Sequence, residues 1–190
     1  MFSPLSDSWP LMECHLSPVW AIPAVPALTA PIATPTATFA TNPQNSRSGS
    51  GAGAFGTRGF SILDFGVVLE GYTSDVTMSF VRGPLEPRQE RMLELVREAY
   101  EKAVAACAPG IPARQPALLA DSIFAQAGYS MPHSLGHGIG LEAHEAPGIN
   151  LREENDALLE PGTIITIEPG LYHPELGGIR WENDVLITET

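Results

Sequence analysis

The sequence predicts an α+β domain over residues 61–190, and three observations carry that reading. Residues 61–82, 163–168 and 179–188 are β-rich runs with turn signals between them. Two segments in the middle of the chain repeat apolar residues at helical spacing. The first 60 residues show neither period.

Segments 61–69 (SILDFGVVL) and 72–82 (YTSDVTMSFVR) are separated by Glu70-Gly71, a tight-turn pair. A turn centred between Leu69 and Glu70 sets Asp64 directly opposite Asp75. Cross-strand partners have Cβ atoms roughly 4.5–5.5 Å apart, close enough to share a metal. From Glu86 to Cys107 the residues Met92, Leu95, Val96, Ala99 and Ala103 form an apolar stripe, with Pro87 in the first turn and Pro109-Gly110 as the stop. A second helix, over 116–127, carries Leu118, Leu119, Ile123 and Phe124, with Gly128 ending it. Both stripes read as core against one sheet face, and the charges of the first helix as a solvated face. Segments 163–168 (TIITIE) and 179–188 (IRWENDVLIT) are again strand-like, joined by a loop ending in Gly177-Gly178. A centre near residue 175 places Glu168 opposite Glu182, although a loop of that length does not by itself fix the register.

Four acids therefore fall in two facing pairs, on strands that are otherwise largely apolar. Like charges opposite one another on a sheet are destabilising, and buried carboxylates must be paired or coordinate a metal. Taken singly, each has an ordinary explanation: an edge aspartate, a glutamate ending a strand before Pro-Gly, loop histidines among glycines. Together, and with His137 in HSLGHGIGLEAHE, they form an oxygen-rich set with one imidazole that holds cations. Gly136, Gly138 and Gly140 around His137 let backbone approach a metal and a substrate closely. GHGIG is not a phosphate loop, because no helix pattern and no Lys-Ser/Thr follows.

The blocks DFG…SD with acids eleven positions apart, HSLGHGIGLEAHEAP, TIEPGLY and GGIRWENDVLIT stand in a specific order. The stretch from Ile62 to Thr188 that contains them resembles the pita-bread metallopeptidases, which include methionine aminopeptidases, aminopeptidase P and prolidase. EPGLY and GGIR look most like the branch that cleaves Xaa-Pro bonds. Creatinase shares the fold without the ligands, so retention of all five argues against its activity. The resemblance implies a pita-bread catalytic domain in which Asp64, Asp75, His137, Glu168 and Glu182 bind two divalent ions. Asp75 and Glu182 would bridge the ions. It implies that Glu168 also takes the proton from the attacking water, and that His133 and His144 bind peptide and stabilise the tetrahedral intermediate. Arg180 matches an arginine that orients the ligands and balances their charge; on sequence alone a surface arginine on a strand explains it equally well. The donor set suits Mn²⁺, with Co²⁺, Zn²⁺ or Fe²⁺ as alternatives. The implied substrates are short proline-containing peptides.

Residues 1–60 depart from that family. Residues 1–46 contain no Lys or Arg, four prolines lie in 16–31, and residues 43–59 read as a linker. The expected organisation is a Pro/Ala/Ser-rich segment, 1–60, disordered or non-native, then a partial pita-bread domain, 61–190, incomplete in its N-terminal half. The family carries a histidine roughly twenty residues before the first metal aspartate, and residues 16–63 have none. Met78 stands where the family more often has Arg. An uncovered sheet edge would favour association with a second copy. The net charge of −12 disfavours nucleic acid and anionic membranes, and proline interrupts every apolar stretch of the N-terminal segment, against a membrane span. Cys14 and Cys107 have no metal or redox spacing, in keeping with a reduced cytoplasm. Two readings compete with an active Xaa-Pro peptidase: an inactive fragment that keeps the ligands without the fold to use them, and a binding or scaffolding relative without turnover.

Overall fold

A computed structural model describes the strand Thr36–Ala40 and residues 59–189. The rest of segment 1–60, with the disorder expected of it, lies outside the described residues. Strand β1 (Thr36–Ala40) pairs antiparallel with β2 (Gly59–Gly66), which pairs with β5 (Val76–Arg82), in the order β1-β2-β5. The sequence shows no strand period around β1, yet a strand forms there. The five residues TATFA, between Pro35 and Pro43, are too short to display a period. Strand formation at such a site is decided by the partner, here the open edge of β2.

Between β2 and β5 the chain makes a small hairpin of β3 (Val68–Leu69) and β4 (Tyr72–Thr73). Its turn residues Glu70 and Gly71 have φ of 54° and 91°, the left-handed pair that a two-residue hairpin turn needs to match strand twist. The turn centres between Glu70 and Gly71, not between Leu69 and Glu70. This corrects the expected register: Asp64 faces Thr77, and Asp75 lies just beyond the last β2–β5 pair, Phe65 with Val76. The displacement is two residues, so side-chain parity is kept and both aspartates stay on one face.

Helix α1 (Pro87–Ala106) starts with proline at its first position, and the Glu86 N–H donates to Gln89 Oε1 at 3.0 Å. Its expected stripe of Met92, Leu95, Val96, Ala99 and Ala103 is fully buried. Helix α2 (Arg114–Gln126) begins two residues early and is rotated from the expected orientation. It buries Pro116, Ala117, Ala120 and Phe124, whereas Leu118 is 46% exposed and Leu119 and Ile123 are half-buried. The two helices pack on each other with alanines in both buried faces, Ala99 and Ala103 on one and Ala117 and Ala120 on the other. Small residues permit close approach, and a leucine in the same seam would overfill it.

The second sheet has the order β11-β8-β6-β7, from β6 (Gly136–Gly138), β7 (Glu145–Ile149), β8 (Ile164–Ile167) and β11 (Asn183–Leu186). The expected loop between β8 and β11 is itself a hairpin, β9 (Gly170–His173) with β10 (Gly177–Arg180). Both ladders share one register centred on Glu175, with Asn183 opposite Ile167 and Gly177 opposite His173. Glu168 and Glu182 therefore face each other as expected, and the length of the connection is no obstacle because only 174–176 turns. The β6 glycines serve strand packing: a Cβ at Gly136 or Gly138 would fall 1.9 Å from Thr166 O or 2.2 Å from Ala146 O.

One seam joins the hairpins. Thr77 and Glu182 exchange backbone hydrogen bonds of 3.3 and 3.2 Å, and the Ser79 hydroxyl donates to Arg180 O (2.8 Å) and accepts from Arg180 N (3.1 Å). Helix α1 lies over β8, β9 and β10. Among the described residues no helix is long and apolar enough to cross a membrane.

The rotation of α2 has a measurable consequence. Phe124→Ala should cost about 3–5 kcal/mol, while Leu118→Ala should stay within about 0.5 kcal/mol. Urea denaturation of the two variants checks this, and a larger loss at Leu118 would contradict the packing described.

Candidate metal centre

Strand parity alone gathers the acids. Thr77 faces Asp64 across β2 and faces Glu182 across the seam, and Asp75 is two residues from Thr77, so all four share one face. Glu168 opposes Glu182. His137 comes in from β6, where its N–H donates to Thr166 Oγ1 at 3.1 Å. The backbone N–H of Glu168 donates to Leu135 O at 2.7 Å, fixing the end of β8 beside β6.

The donors converge in three overlapping groups: Asp64, Asp75 and Glu182; His137, Glu168 and Glu182; and Asp75, His137 and His144. Within each group the ligand atoms lie within 4.8 Å of one another. Donors that share one ion, each about 2.0–2.2 Å from it, can be at most about 4.4 Å apart, so a small contraction would close each group around a cation. His137 Nδ1 lies 3.0 Å from Gly138 O. In the neutral tautomer that hydrogen bond uses the Nδ1 proton and leaves the Nε2 lone pair facing Glu168 Oε1 (3.6 Å) and Asp75 Oδ2 (3.9 Å). His144 is exposed, with its ring centroid 4.1 Å from that of His137.

Arg180 is not a surface residue: its side chain is 14% exposed. It donates to Asp64 through Nη2, to Thr77 Oγ1 through Nε (3.1 Å) and to Tyr172 Oη through Nη1 (3.1 Å). Nε also lies 4.0 Å from both Glu168 and Glu182. Thr77 in turn donates to Glu182 Oε2 at 2.5 Å. On the other side, His133 Nε2 lies 2.9 Å from Tyr172 Oη, and its Nδ1 2.8 Å from Ser134 O. With Nδ1 protonated, Tyr172 donates to His133 while accepting from Arg180. A single hydrogen-bonded chain thus runs from the acids to His133.

The structure therefore brings together Asp64, Asp75, His137, Glu168 and Glu182, sets His144 against His137, and links His133 and Arg180 to the cluster. The sequence reading missed Thr77, Tyr172 and Asp184. Period two offered a signal for each: Thr77 follows Asp75 by two, Asp184 follows Glu182 by two, and Tyr172 follows Glu168 by four.

Without cations this arrangement is unfavourable to charge. Burial, then the neighbouring Asp64 and Asp184 carboxylates, push Asp75 up to about 7. Burial, then the Glu182 charge in the case of Glu168 and the Asp75 charge in the case of Glu182, hold both glutamates well above the usual carboxylate range, and burial raises Asp184 to about 6. Burial lowers the pKa of His137, with the charge of His144 adding to the effect against the Gly138 hydrogen bond. Burial also lowers that of His133. Burial opposes the charge on Arg180, but Tyr172, Asp64 and Glu182 more than restore it. Asp75, Glu168, Glu182 and Asp184, which resist ionising together, and the neutral imidazole of His137 fit a site for hard or borderline divalent ions.

The family model described as "Metallopeptidase family M24" matches residues 34–189. The chain belongs to this family. Among curated M24 relatives, the putative dipeptidase YkvY of Bacillus subtilis is 43% identical over 132 residues, 68% of this chain and 36% of that protein. The Xaa-Pro dipeptidase of Pyrococcus furiosus is 44% identical over 130 residues, 67% of this chain and 37% of that protein. The chain thus spans little more than a third of the length of these relatives. The solved prolidase from Pyrococcus furiosus superposes with a TM-score of 0.75 at 38% identity, over 81% of this chain and 46% of that one. A methionine aminopeptidase from Rickettsia prowazekii shares the fold, with a TM-score of 0.63 at 18% identity. The architecture is part of the pita-bread fold of M24 peptidases, as the sequence motifs imply.

For the metal-free M24 chain the sign of the pH dependence follows from Asp75. Its unfolded form loses a proton near 3.8 and its folded form near 7, so between these values the native state holds the extra proton and stability falls as pH rises. Glu168, Glu182 and Asp184 shift the same way. Thermal melts in chelator should give a lower midpoint at pH 8 than at pH 5; a higher midpoint at pH 8 would contradict the clustering.

Proposed function

We propose that this chain carries the dinuclear centre of an Xaa-Pro peptidase. The observation that supports this best is the sharing of Glu182 between two donor groups, Asp64 with Asp75 on one side and His137 with Glu168 on the other. In this reading Asp64, Asp75, His137, Glu168 and Glu182 would hold two divalent ions, with Asp75 and Glu182 serving both, Mn²⁺ suiting the donor set and Co²⁺, Zn²⁺ or Fe²⁺ as alternatives. When bound, such a pair supplies a water activated at neutral pH and a polarised scissile carbonyl. Glu168 would take the proton of the attacking water and pass it toward the leaving proline nitrogen, the general acid–base work of a positioned carboxylate. His133, linked to the cluster through Tyr172, and His144, against His137, would hold the peptide and the developing oxyanion. Arg180 balances charge behind Asp64 and, through Tyr172, orients His133. The choice of a proline-containing substrate rests on the relatives named Xaa-Pro dipeptidase. Convergence of the donors in this chain favours the reading over that of a fragment unable to assemble its ligands. Close-packed, half-buried to buried acids also speak against a binding scaffold, which has no use for them.

With Mn²⁺ present and an Xaa-Pro dipeptide as substrate, Glu168→Gln should lower kcat by about 10²–10⁴-fold while leaving the circular dichroism spectrum unchanged. Unchanged turnover would remove Glu168 from the mechanism. Asp75→Asn should reduce occupancy of both ions in metal analysis; loss of one ion alone would contradict the bridge.

A further inference from the structure

Asp184 stands two residues beyond Glu182 along β11, so the two side chains share one face of the strand. Its Oδ2 accepts the backbone N–H of Asp75 at 3.4 Å, and its Oδ1 is buried with no hydrogen-bond partner. A buried carboxylate oxygen without a donor is destabilising. The chain places this one against Asp75, itself part of an acidic cluster, which adds repulsion to desolvation. The backbone contact does not call for a charge, because an asparagine carbonyl oxygen in the same place would accept the same N–H. With Asp184 the cluster numbers five carboxylates around the guanidinium of Arg180 among the described residues. Two divalent ions balance that excess.

We infer that Asp184 is a positioning residue of the metal centre, anchoring Asp75 by its N–H and adding the negative charge that draws divalent cations into the cluster. This rests on the dinuclear reading above and adds to it a residue that touches neither ion nor substrate. The inference has a signature that a structural role lacks: removing the charge should weaken metal binding and stabilise the metal-free protein.

The test is Asp184→Asn in the full chain, with Mn²⁺ titrated by calorimetry and thermal melts recorded in chelator. The expected result is a dissociation constant raised about 10–100-fold, together with a metal-free midpoint above that of the parent chain. An unchanged dissociation constant would overturn the role of Asp184 and leave the metal centre standing. A metal-free midpoint below that of the parent would also overturn it, showing that the carboxylate serves the fold. A parent chain that binds no Mn²⁺ would remove the dinuclear reading and this inference with it.

Discussion

The reciprocal backbone hydrogen bonds between Thr77 and Glu182 are the joint on which the site depends. Strands alternate their side chains, so one bridge with correct parity commits both hairpins: Asp64 and Asp75 from the first, Glu182 and Glu168 from the second, all to the same face. Arg180 and Ser79 repeat the joint two residues on. A slip of one residue across this seam would turn the acids of one hairpin away from those of the other. The helices stabilise the joint indirectly, since α1 covers β8, β9 and β10 with an unbroken apolar stripe.

That geometry works against the preferences of its own side chains. Glu182 is 2% exposed and faces other carboxylates. Within the chain itself, relief comes from Arg180, which touches Asp64 and Thr77 directly and stands near both glutamates. One guanidinium cannot neutralise the whole group, and the raised carboxylate pKa values express the remainder. Buried like charges persist where a function requires them, and divalent cations are the partners that would reverse the sign of the local field. The Arg180–Tyr172–His133 chain also shows how the charge-balancing group and His133 can be held by the same contacts.

Much of this was legible in the residues. The helix α1 stripe, both hairpins and the convergence of the five candidate ligands follow from spacing and from the motif blocks, because each is a local pattern with a strong physical reason. The errors came where tertiary packing decides. The Glu70-Gly71 turn shifted the first register by two, harmlessly for parity. Helix α2 turned Ala117, Ala120 and Phe124 inward, Phe124 filling the space and the alanines allowing close approach to α1, so hydrophobicity misplaced Leu118. The β1 strand exists through its partner edge and left no period to read. Arg180 was ambiguous because a strand arginine looks the same whether it faces solvent or acids. Thr77, Tyr172 and Asp184 went unread because a neutral or extra polar residue beside a ligand carries meaning only once the register is known.

If the acids and His137 form one dinuclear site within this chain, the bound metal must show it in its stoichiometry. After loading with Mn²⁺ and removal of free ion, elemental analysis should find about two ions per chain, as a paired-metal hydrolase centre requires. A value near zero would contradict it, meaning that the donors gathered by the Thr77–Glu182 seam do not hold cations.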